Sequence, residues 1–193
     1  MHALATSFIL GYHGCDASVA ERLLSGKPFR QSTNDYDWLG HGVYFWEVNP
    51  RRGLEFAREL AKSERGKKIK VPAVVGAVID LGLCLDLTTS AGITQVRTAH
   101  RELDKIAKAA GVDLPKNSED QLRHNLDCAV IQALHGIRDA SGEPSVDTVK
   151  GVFLEGKRVY RTAGFYEKTH VQVCVRNLNC IKGVFRVPRK MSR

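Results

Sequence analysis

The sequence predicts an α+β protein built on a mixed, mostly antiparallel sheet with flanking helices. Two observations support this fold class. Runs rich in β-branched and aromatic residues cluster toward the two ends of the 193-residue chain, and the longest helical patterns lie between them. The chain also lacks the regular alternation of strand and helix that a parallel βαβ fold requires. With 43% hydrophobic and 26% charged residues, it is typical of a single globular domain over residues 1–193.

The residue pattern in the first third of the chain predicts two strands and two helices. In order, these are a strand over residues 6–12, a helix over Ser18–Leu24, a polar loop over Lys27–Trp38, a strand over Val43–Trp46 and a helix over Arg51–Ser63. Asp16 or Ser18 is the expected cap of the first helix, since both side chains accept hydrogen bonds from backbone amides. Asn49-Pro50 starts the second helix, because proline is favoured in a first turn.

The remainder of the chain predicts two longer helices and the closing strands. In order, these are one or two strands over Val71–Leu87, helices over Thr94–Ala110 and Asp120–Leu134, strands over Thr148–Phe153 and Val159–Tyr160, a loop over Thr162–Lys168, and strands over Thr169–Val175 and Ile181–Val187. Gly111 is expected to end the first of these helices. The apolar stripe of the second helix would consist of Leu122, Leu126, Ala129, Val130 and Ala133.

The formal net charge of +8 comes partly from two basic runs, over residues 65–70 and 186–193. We expect residues 188–193 to form a flexible tail. A basic run is most often a solvated surface. It can also attract a polyanion, such as nucleic acid or the phosphates of a dinucleotide. Both interpretations stay open at this point.

The composition disfavours membrane and secreted classes of protein. No apolar stretch approaches the length of a membrane span, and the N-terminus lacks the basic and apolar regions of a secretory signal. The five cysteines are odd in number and form no C-x-x-C pair, which favours a reduced setting over a disulfide framework. We therefore expect a cytoplasmic protein with no membrane association.

Two glycine-containing segments suggest a binding site. The first is His13-Gly14, at the end of the first predicted strand, and the second is Gly40-His41-Gly42-Val43-Tyr44-Phe45. Glycine lets a backbone approach a ligand closely, and aromatic rings offer flat faces, so the two segments suit a planar ligand lying against strands. Each of these residues can also be explained by packing alone, without a ligand. His13 can be a buried histidine, and Tyr44 and Phe45 can be packing residues.

Other common chemical motifs are absent from the sequence. There is no phosphate-binding loop of the G-x-x-x-x-G-K-[ST] or G-x-G-x-x-G type, and no Gly-x-Ser-x-Gly motif. Neither an H-E-x-x-H motif nor a paired cysteine and histidine spacing supports a metal site. We therefore expect no metal, and the two glycine-containing segments remain as the candidate site.

The two segments, in this order, resemble the NAD-binding core of the ADP-ribosyltransferases. The similar branch is that of the poly(ADP-ribose) polymerases and diphtheria toxin, whose signature is His, Tyr and a third residue, usually Glu. The resemblance covers residues 8–57 and extends to 148–187, but not to the middle of the chain. It implies an ADP-ribosyltransferase-like split sheet, with the chain as one catalytic domain.

The resemblance also implies that NAD is the substrate. The backbone of Gly14 would hold the nicotinamide amide, His13 would bond the adenosine ribose, and Tyr44 would stack on the nicotinamide ring beside Gly42. Phe56, on the next helix, would cover the other face of the ring, although by itself it is more typical of a core residue. Cleavage of the nicotinamide–ribose bond passes through an oxocarbenium-like state, so stacking and positioning matter more than strong acid catalysis.

The third position of the signature departs from the family. Its strand, Thr169–Val175, has no acid, although alternation places His170 and Gln172 on one face. We assign the position to Gln172, which can accept a hydrogen bond from the ribose but supplies no charge, with His170 or Glu167 as alternatives. The catalytic set is then His13, Tyr44 and Gln172. A missing carboxylate argues for transfer of a single unit, or for inactivity, rather than polymer formation.

In the family, the loop before the strand that corresponds to Thr169–Val175 contacts the acceptor, which is the molecule that receives ADP-ribose. Here it carries Phe165, Tyr166 and Glu167, which would suit a nucleic-acid base or a protein side chain, and the positive net charge favours nucleic acid. The leading hypothesis is a mono-ADP-ribosyltransferase acting on a macromolecule. By analogy of fold alone, it would be a bacterial toxin or phage-defence effector with an antitoxin or immunity partner.

Two other functions stay open. One is a binding module that holds NAD or ADP-ribose without chemistry, which the missing acid motivates. The other is a relative of the RNA 2′-phosphotransferases on the same fold. That family uses two histidines and two arginines, and its second histidine has no match at Tyr44, so this hypothesis ranks last.

Overall fold

A computed structural model of the chain describes residues 8–63, 69–119 and 123–188. These residues form one seven-stranded sheet and four α-helices, which confirms the predicted α+β class. In chain order the elements are β1 (Phe8–Asp16), α1 (Ala17–Leu24), β2 (Val43–Glu47), α2 (Pro50–Ala61), β3 (Pro72–Asp80), β4 (Cys84–Asp86), α3 (Ser90–Ala110), α4 (Asn125–Ala140), β5 (Thr148–Phe153), β6 (His170–Val175) and β7 (Ile181–Arg186).

The strands follow the order β4-β5-β6-β2-β1-β3-β7 across the sheet. All neighbouring strands are antiparallel except β4 and β5, so the sheet is mixed and mostly antiparallel, as the sequence predicts. The strands that carry the candidate residues, β1, β2 and β6, therefore lie side by side in the middle of the sheet.

Helices pack on both faces of this sheet. On one face, α1 lies against β1 and β3 in a core that includes Leu23, Phe45 and Val75. On the other face, α2 covers β1 and β3, and α3 and α4 cover the side of β4 to β6, where Ile131 and Cys174 lie in a second core. Because successive side chains of a strand point to opposite faces, adjacent residues of β2 contribute to different cores.

Local signals in the sequence determine the helix ends. The Asp16 carboxylate accepts a hydrogen bond from the Ser18 backbone N–H at 2.9 Å, so Asp16 and not Ser18 caps α1. The Asn49 side chain accepts from the Arg52 N–H at 3.0 Å at the start of α2. Gly111 ends α3 with φ 65°, a left-handed conformation that glycine adopts without a steric penalty.

Some predicted boundaries are wrong. β1 continues to Asp16, because β3 supplies ladder partners along its full length, so His13 lies inside the strand and not at its end. α3 begins at Ser90 rather than Thr94, since the side chain of Thr89 caps it. Pairing with β3 extends β1, and the Thr89 cap extends α3, beyond the apolar pattern that predicts each element.

α4 differs from its predicted helix in both bounds and buried face. It runs from Asn125 to Ala140, and the predicted start at 120–122 lies outside the described residues. Ala129 and Ala133 of the predicted stripe are only half-buried. The buried side chains of α4 are those of Cys128, Val130, Ile131, Leu134 and His135. The helix therefore turns a neighbouring face toward β5 and β6.

The predicted strand at Val159–Tyr160 is also wrong. These residues belong to an irregular hairpin over residues 155–168, which connects β5 to β6 and contains an isolated bridge between Arg158 and Tyr166. A backbone hydrogen bond from Val159 N to Phe165 O, at 3.1 Å, helps to hold its two legs together. We call this segment the 155–168 hairpin.

Two predicted features fall largely outside the described residues. They are residues 189–193 of the basic tail and residues 65–68 of the basic run at 65–70. Within the three described ranges, no helix combines the length and apolar character needed to cross a membrane.

Replacement of His135, on the buried face of α4, should stabilise the protein. The residue is 4% exposed, and neither ring nitrogen has a hydrogen-bond partner among the described residues. A buried polar group without a partner costs stability. We expect His135→Leu to raise the free energy of unfolding at pH 7 by about 1–2 kcal/mol, measured by urea or thermal unfolding.

The same substitution should weaken the loss of stability at acidic pH. Burial, with a smaller effect of Arg176, lowers the pKa of His135 to about 4, whereas the unfolded chain has the ordinary value of about 6.5. The wild-type protein therefore loses up to about 1.4 kcal/mol per pH unit from this residue as the pH falls from 6.5 toward 4. His100→Leu, at an exposed position of α3, is the matched control. A His135→Leu protein less stable at pH 7, with unchanged pH dependence, would contradict this account.

Candidate functional site

The candidate site lies where β1 and β2 separate. Their ladder consists of two register pairs and ends at Tyr12 and Trp46. In this register Gly14 and Tyr44 would form the next hydrogen-bonded pair, because alternate residues of β1 direct their backbone N–H and C=O groups toward β2. Among the described residues that pair is not formed, while β1 continues beside β3 and β2 continues beside β6. The sheet is therefore open between Gly14 and Tyr44.

His13 closes part of this opening. Its Nδ1 lies 2.9 Å from the Tyr44 carbonyl oxygen, and because a carbonyl only accepts, Nδ1 carries the proton and Nε2 remains an acceptor. The ring packs against Phe29 and Phe45, with ring centroids 5.5 and 5.7 Å away. Burial lowers the pKa of His13 below its ordinary value, although the hydrogen bond to Tyr44 opposes this effect. The imidazole is therefore neutral at pH 7.

The side chain of Tyr44 lies on the opposite face of the sheet from His13. Its ring packs against the second core, and its hydroxyl donates to the Gly40 carbonyl at 2.7 Å and accepts from the Leu39 N–H at 2.9 Å. Burial raises the pKa of this phenol well above its ordinary value. The structure therefore brings His13 to the backbone of Tyr44, and it holds the half-buried Tyr44 ring in one orientation.

The glycines of the two segments have a packing role that is independent of any ligand. A Cβ atom on Gly14 would lie 2.1 Å from the backbone oxygen of Gly53 in α2. A Cβ atom on Gly42 would lie 2.5 Å from the Cys174 sulfur and 2.7 Å from the Val175 oxygen. No side chain fits at either position, so α2 and β6 approach the site closely.

Phe56 of α2 lies against Trp46 of β2. The Phe56 and Trp46 ring centroids are 4.8 Å apart, and Trp46 is 2% exposed. Trp46 also faces His170, at a centroid distance of 6.3 Å. The ring contact of Phe56 is therefore with Trp46, and the role of Phe56 as the second face of a nicotinamide site stays a prediction.

Gln172 and His170 lie on the same face of β6 and contact each other. The His170 Nδ1 lies 2.6 Å from the Lys168 carbonyl oxygen, so Nδ1 carries the proton and Nε2 accepts from the Gln172 amide nitrogen at 3.1 Å. Burial lowers the pKa of His170, which keeps the ring neutral. The amide nitrogen of Gln172 is thus committed to His170, and its oxygen remains as an acceptor.

Sequence reasoning missed a charged cluster next to these rings. Arg52 of α2 is 4% exposed, and its guanidinium binds Glu155 at 2.8 Å and Glu59 at 3.3 Å. Lys168 binds Glu59 at 2.8 Å. The guanidinium carbon of Arg52 lies 6.0 Å from the centre of the Trp46 ring. The cluster joins α2 to both ends of the 155–168 hairpin.

No local pattern marks this cluster in the sequence. Arg52 lies in the first turn of a helix rich in charged residues, where arginine is ordinarily exposed. Glu155 lies about a hundred residues further along the chain. Trp46 directly follows Phe45, the last residue of the second glycine-containing segment, so the sequence places it next to the candidate site.

The predicted acceptor residues all lie on the 155–168 hairpin. Phe165 is 68% exposed, and the guanidinium of Arg158 lies 4.9 Å from the centre of the Tyr166 ring. The Glu167 carboxylate accepts from the Lys157 N–H at 3.1 Å, within the hairpin itself. A cleft of about 260 Å³ separates residues 167–169 from the first turn of α2. The hairpin therefore forms one wall of an opening toward Arg52.

No metal-binding arrangement is found in this part of the protein. Across the described ranges, no three histidine, cysteine, aspartate or glutamate side chains are placed to hold an ion.

The chain is similar to an uncharacterized protein of Methanocaldococcus jannaschii, MJ0359. The two are 26% identical over 191 residues, which cover 89% of this chain and 83% of the relative. No family model matches the sequence, and no solved structure matches it. Since the relative is itself uncharacterized, the similarity assigns neither a family nor an activity.

Proposed function

We propose that this protein is a mono-ADP-ribosyltransferase that cleaves NAD between nicotinamide and ribose and transfers ADP-ribose to a macromolecule. The observation that carries the proposal is the opening of the β1–β2 ladder at Gly14 and Tyr44. An open strand edge beside a fixed aromatic ring suits a flat ligand that carries an amide. The resemblance of these two segments to the NAD-binding core of the ADP-ribosyltransferases supplies the identity of that ligand.

Each residue of the opening has a chemical state that supports its proposed role. The backbone of Gly14, which lies beyond the end of the β2 ladder, would bond the nicotinamide amide. The neutral His13, with Nε2 unprotonated, would accept a hydrogen bond from a ribose hydroxyl. Tyr44, held by its hydroxyl, would offer a flat wall to the nicotinamide. Fixed groups of this kind reduce the entropic cost of holding a substrate in a reactive geometry.

Gln172 would occupy the third catalytic position. Its amide oxygen can accept from the hydroxyl of the nicotinamide ribose while its nitrogen stays bonded to His170. Because the amide is uncharged, it stabilises developing positive charge less than a carboxylate does. This difference supports transfer of a single ADP-ribose unit rather than extension of a polymer.

Incubation of the purified protein with NAD tests the proposal. We expect release of nicotinamide, and stable transfer of an adenylate label to protein or nucleic acid from a lysate. Gln172→Ala should lower the release rate by about tenfold or more, whereas Gln95→Ala, at an exposed position of α3, should not change it. If no nicotinamide is released with any acceptor preparation, the proposed enzyme activity is wrong.

One observation favours the second candidate, a module that binds NAD or ADP-ribose without chemistry. Glu155 influences the pKa of His170 and is the kind of acid that the site needs, but its carboxylate is neutralised by Arg52 at 2.8 Å. Titration calorimetry distinguishes the two functions. Tight NAD binding without nicotinamide release would favour the module.

A further inference from the structure

The 155–168 hairpin presents aromatic surface that the proposed chemistry does not use. Tyr160 is 60% exposed and Phe165 is 68% exposed. Isolated exposed apolar residues are ordinary, but two large rings on one projecting segment are a feature of binding surfaces. Long connections of this kind between strands usually carry function.

Hydrogen bonds within the hairpin order the backbone that carries the two rings. Backbone hydrogen bonds join Glu167 N to Lys157 O at 3.0 Å and Ala163 N to Tyr160 O at 3.0 Å. Ala163, in the turn of the hairpin, is 1% exposed. An ordered loop loses less conformational entropy on binding than a flexible one. The backbone of the hairpin is therefore ordered before a partner binds.

The exposed charge of the hairpin is positive. Lys157 and Arg158 precede Tyr160 and Arg161 follows it, and the guanidinium of Arg158 lies over the Tyr166 ring. The hairpin carries two acids against four basic residues, Lys157, Arg158, Arg161 and Lys168. Glu155 pairs with Arg52, and Glu167 accepts a backbone N–H. The net charge of the whole chain, +8, adds to this field.

We propose that the 155–168 hairpin binds single-stranded nucleic acid. Bases would stack on Tyr160 and Phe165, while phosphates contact Lys157, Arg158 and Arg161. Rings interleaved with cations are the recurring surface for single strands, because every base has a flat face and every nucleotide has a phosphate. A bound strand would be the ADP-ribose acceptor, and in that respect the inference rests on the proposed function. Binding itself does not require NAD.

Fluorescence anisotropy without NAD tests the inference. The probes are labelled single-stranded RNA and DNA of about 12 nucleotides, titrated between about 50 and 200 mM salt. Tyr160→Ala and Phe165→Ala should each weaken binding about tenfold or more. Tyr160→Phe keeps the flat ring and should bind like the wild-type protein. Arg161→Ala should reduce the slope of log affinity against log salt by about one.

Matched controls separate the hairpin from other exposed rings and charges. Phe8→Ala removes a ring that is 58% exposed on β1, and Arg97→Ala removes an exposed arginine on α3; neither should change the affinity. A chain ending at Pro188 lacks the basic residues 189–193 and should retain binding that depends on Tyr160 and Phe165.

Two results would overturn the inference. One is nucleic-acid binding that persists in the Tyr160→Ala and Phe165→Ala variants or disappears only on removal of 189–193. The other is transfer of ADP-ribose to proteins in a nuclease-treated lysate, with no single-strand binding. Nicotinamide release is measured separately. Hairpin-dependent binding without nicotinamide release would support the inference and reject only the proposed function.

Discussion

Replacing Tyr44 with leucine should reduce nicotinamide release from NAD by at least about 100-fold while the protein stays folded. Leucine fills much of the apolar volume that the ring occupies against the second core, but it offers no flat face for a nicotinamide ring. A loss of this size is expected when a positioning contact next to the reacting bond is removed. Steady-state release of nicotinamide, with a melting curve of each protein, measures the effect.

Tyr44→Phe is the matched control for the ring. It keeps the flat face and removes the hydroxyl that bonds Gly40 O and Leu39 N. We expect a loss of stability of about 1–2 kcal/mol, because a buried N–H and C=O lose their partner, and a change in activity of less than about tenfold. Full activity in a folded Tyr44→Leu protein would show that Tyr44 is not the nicotinamide wall.

Gly14→Ala should destabilise the protein more than any other conservative change in the site. The new methyl group would lie 2.1 Å from the Gly53 oxygen and 3.4 Å from the Ala57 side chain. A backbone oxygen cannot rotate away as a side chain can, so α2 must move. Overpacking of this kind costs about 3 kcal/mol, which corresponds to a fall in Tm of about 6–12 °C for a domain of this size. Calorimetry or thermal denaturation measures it.

Gly136→Ala is the control for this prediction. A Cβ atom on Gly136 of α4 meets no atom within 4 Å, and alanine is the better helix former, so this variant should gain up to about 1 kcal/mol. A Gly14→Ala protein that melts like the wild type would mean that α2 does not pack on β1 as described. Because the backbone of Gly14 would bond the nicotinamide amide, a displacement at this position should lower nicotinamide release as well.

Patterns within short stretches of sequence are sufficient to predict most of the helices and strands. Val43–Trp46 and Thr148–Phe153 were found as strands because β-branched and aromatic residues mark an extended, half-buried chain. Asp16 and Asn49-Pro50 marked helix starts because their capping chemistry is local. The strand expected at Val159–Tyr160 failed because strand formation also needs a partner in register. The hairpin provides only an isolated bridge.

The candidate site was predictable only in part. Two short segments predict His13, Gly14 and Tyr44 as site residues. In the structure Nδ1 of His13 lies 2.9 Å from the backbone oxygen of Tyr44, whereas the Tyr44 ring lies on the opposite face of the sheet. Phe56 is predicted to cover the nicotinamide ring opposite Tyr44. Its contact with Trp46, which also contacts His170 of β6, was not predicted. Alternation along a strand predicts which residues share a face. It does not predict which helix covers that face or which side chains of that helix contact it.

The sequence by itself determined the fold class and most element positions, because propensity, capping and alternation act over a few neighbouring residues. It also predicts His13, Tyr44 and Gln172 as residues of a ligand site. Tertiary structure alone decided the chemical state of those residues. The proton of His13 sits on Nδ1 because of a carbonyl on another strand, and Gln172 keeps its oxygen free because His170 takes its nitrogen. Arg52 is buried because Glu155, far along the chain, supplies its counter-charge. Burial and pairing depend on contacts between distant segments, and these exist only once the chain has folded.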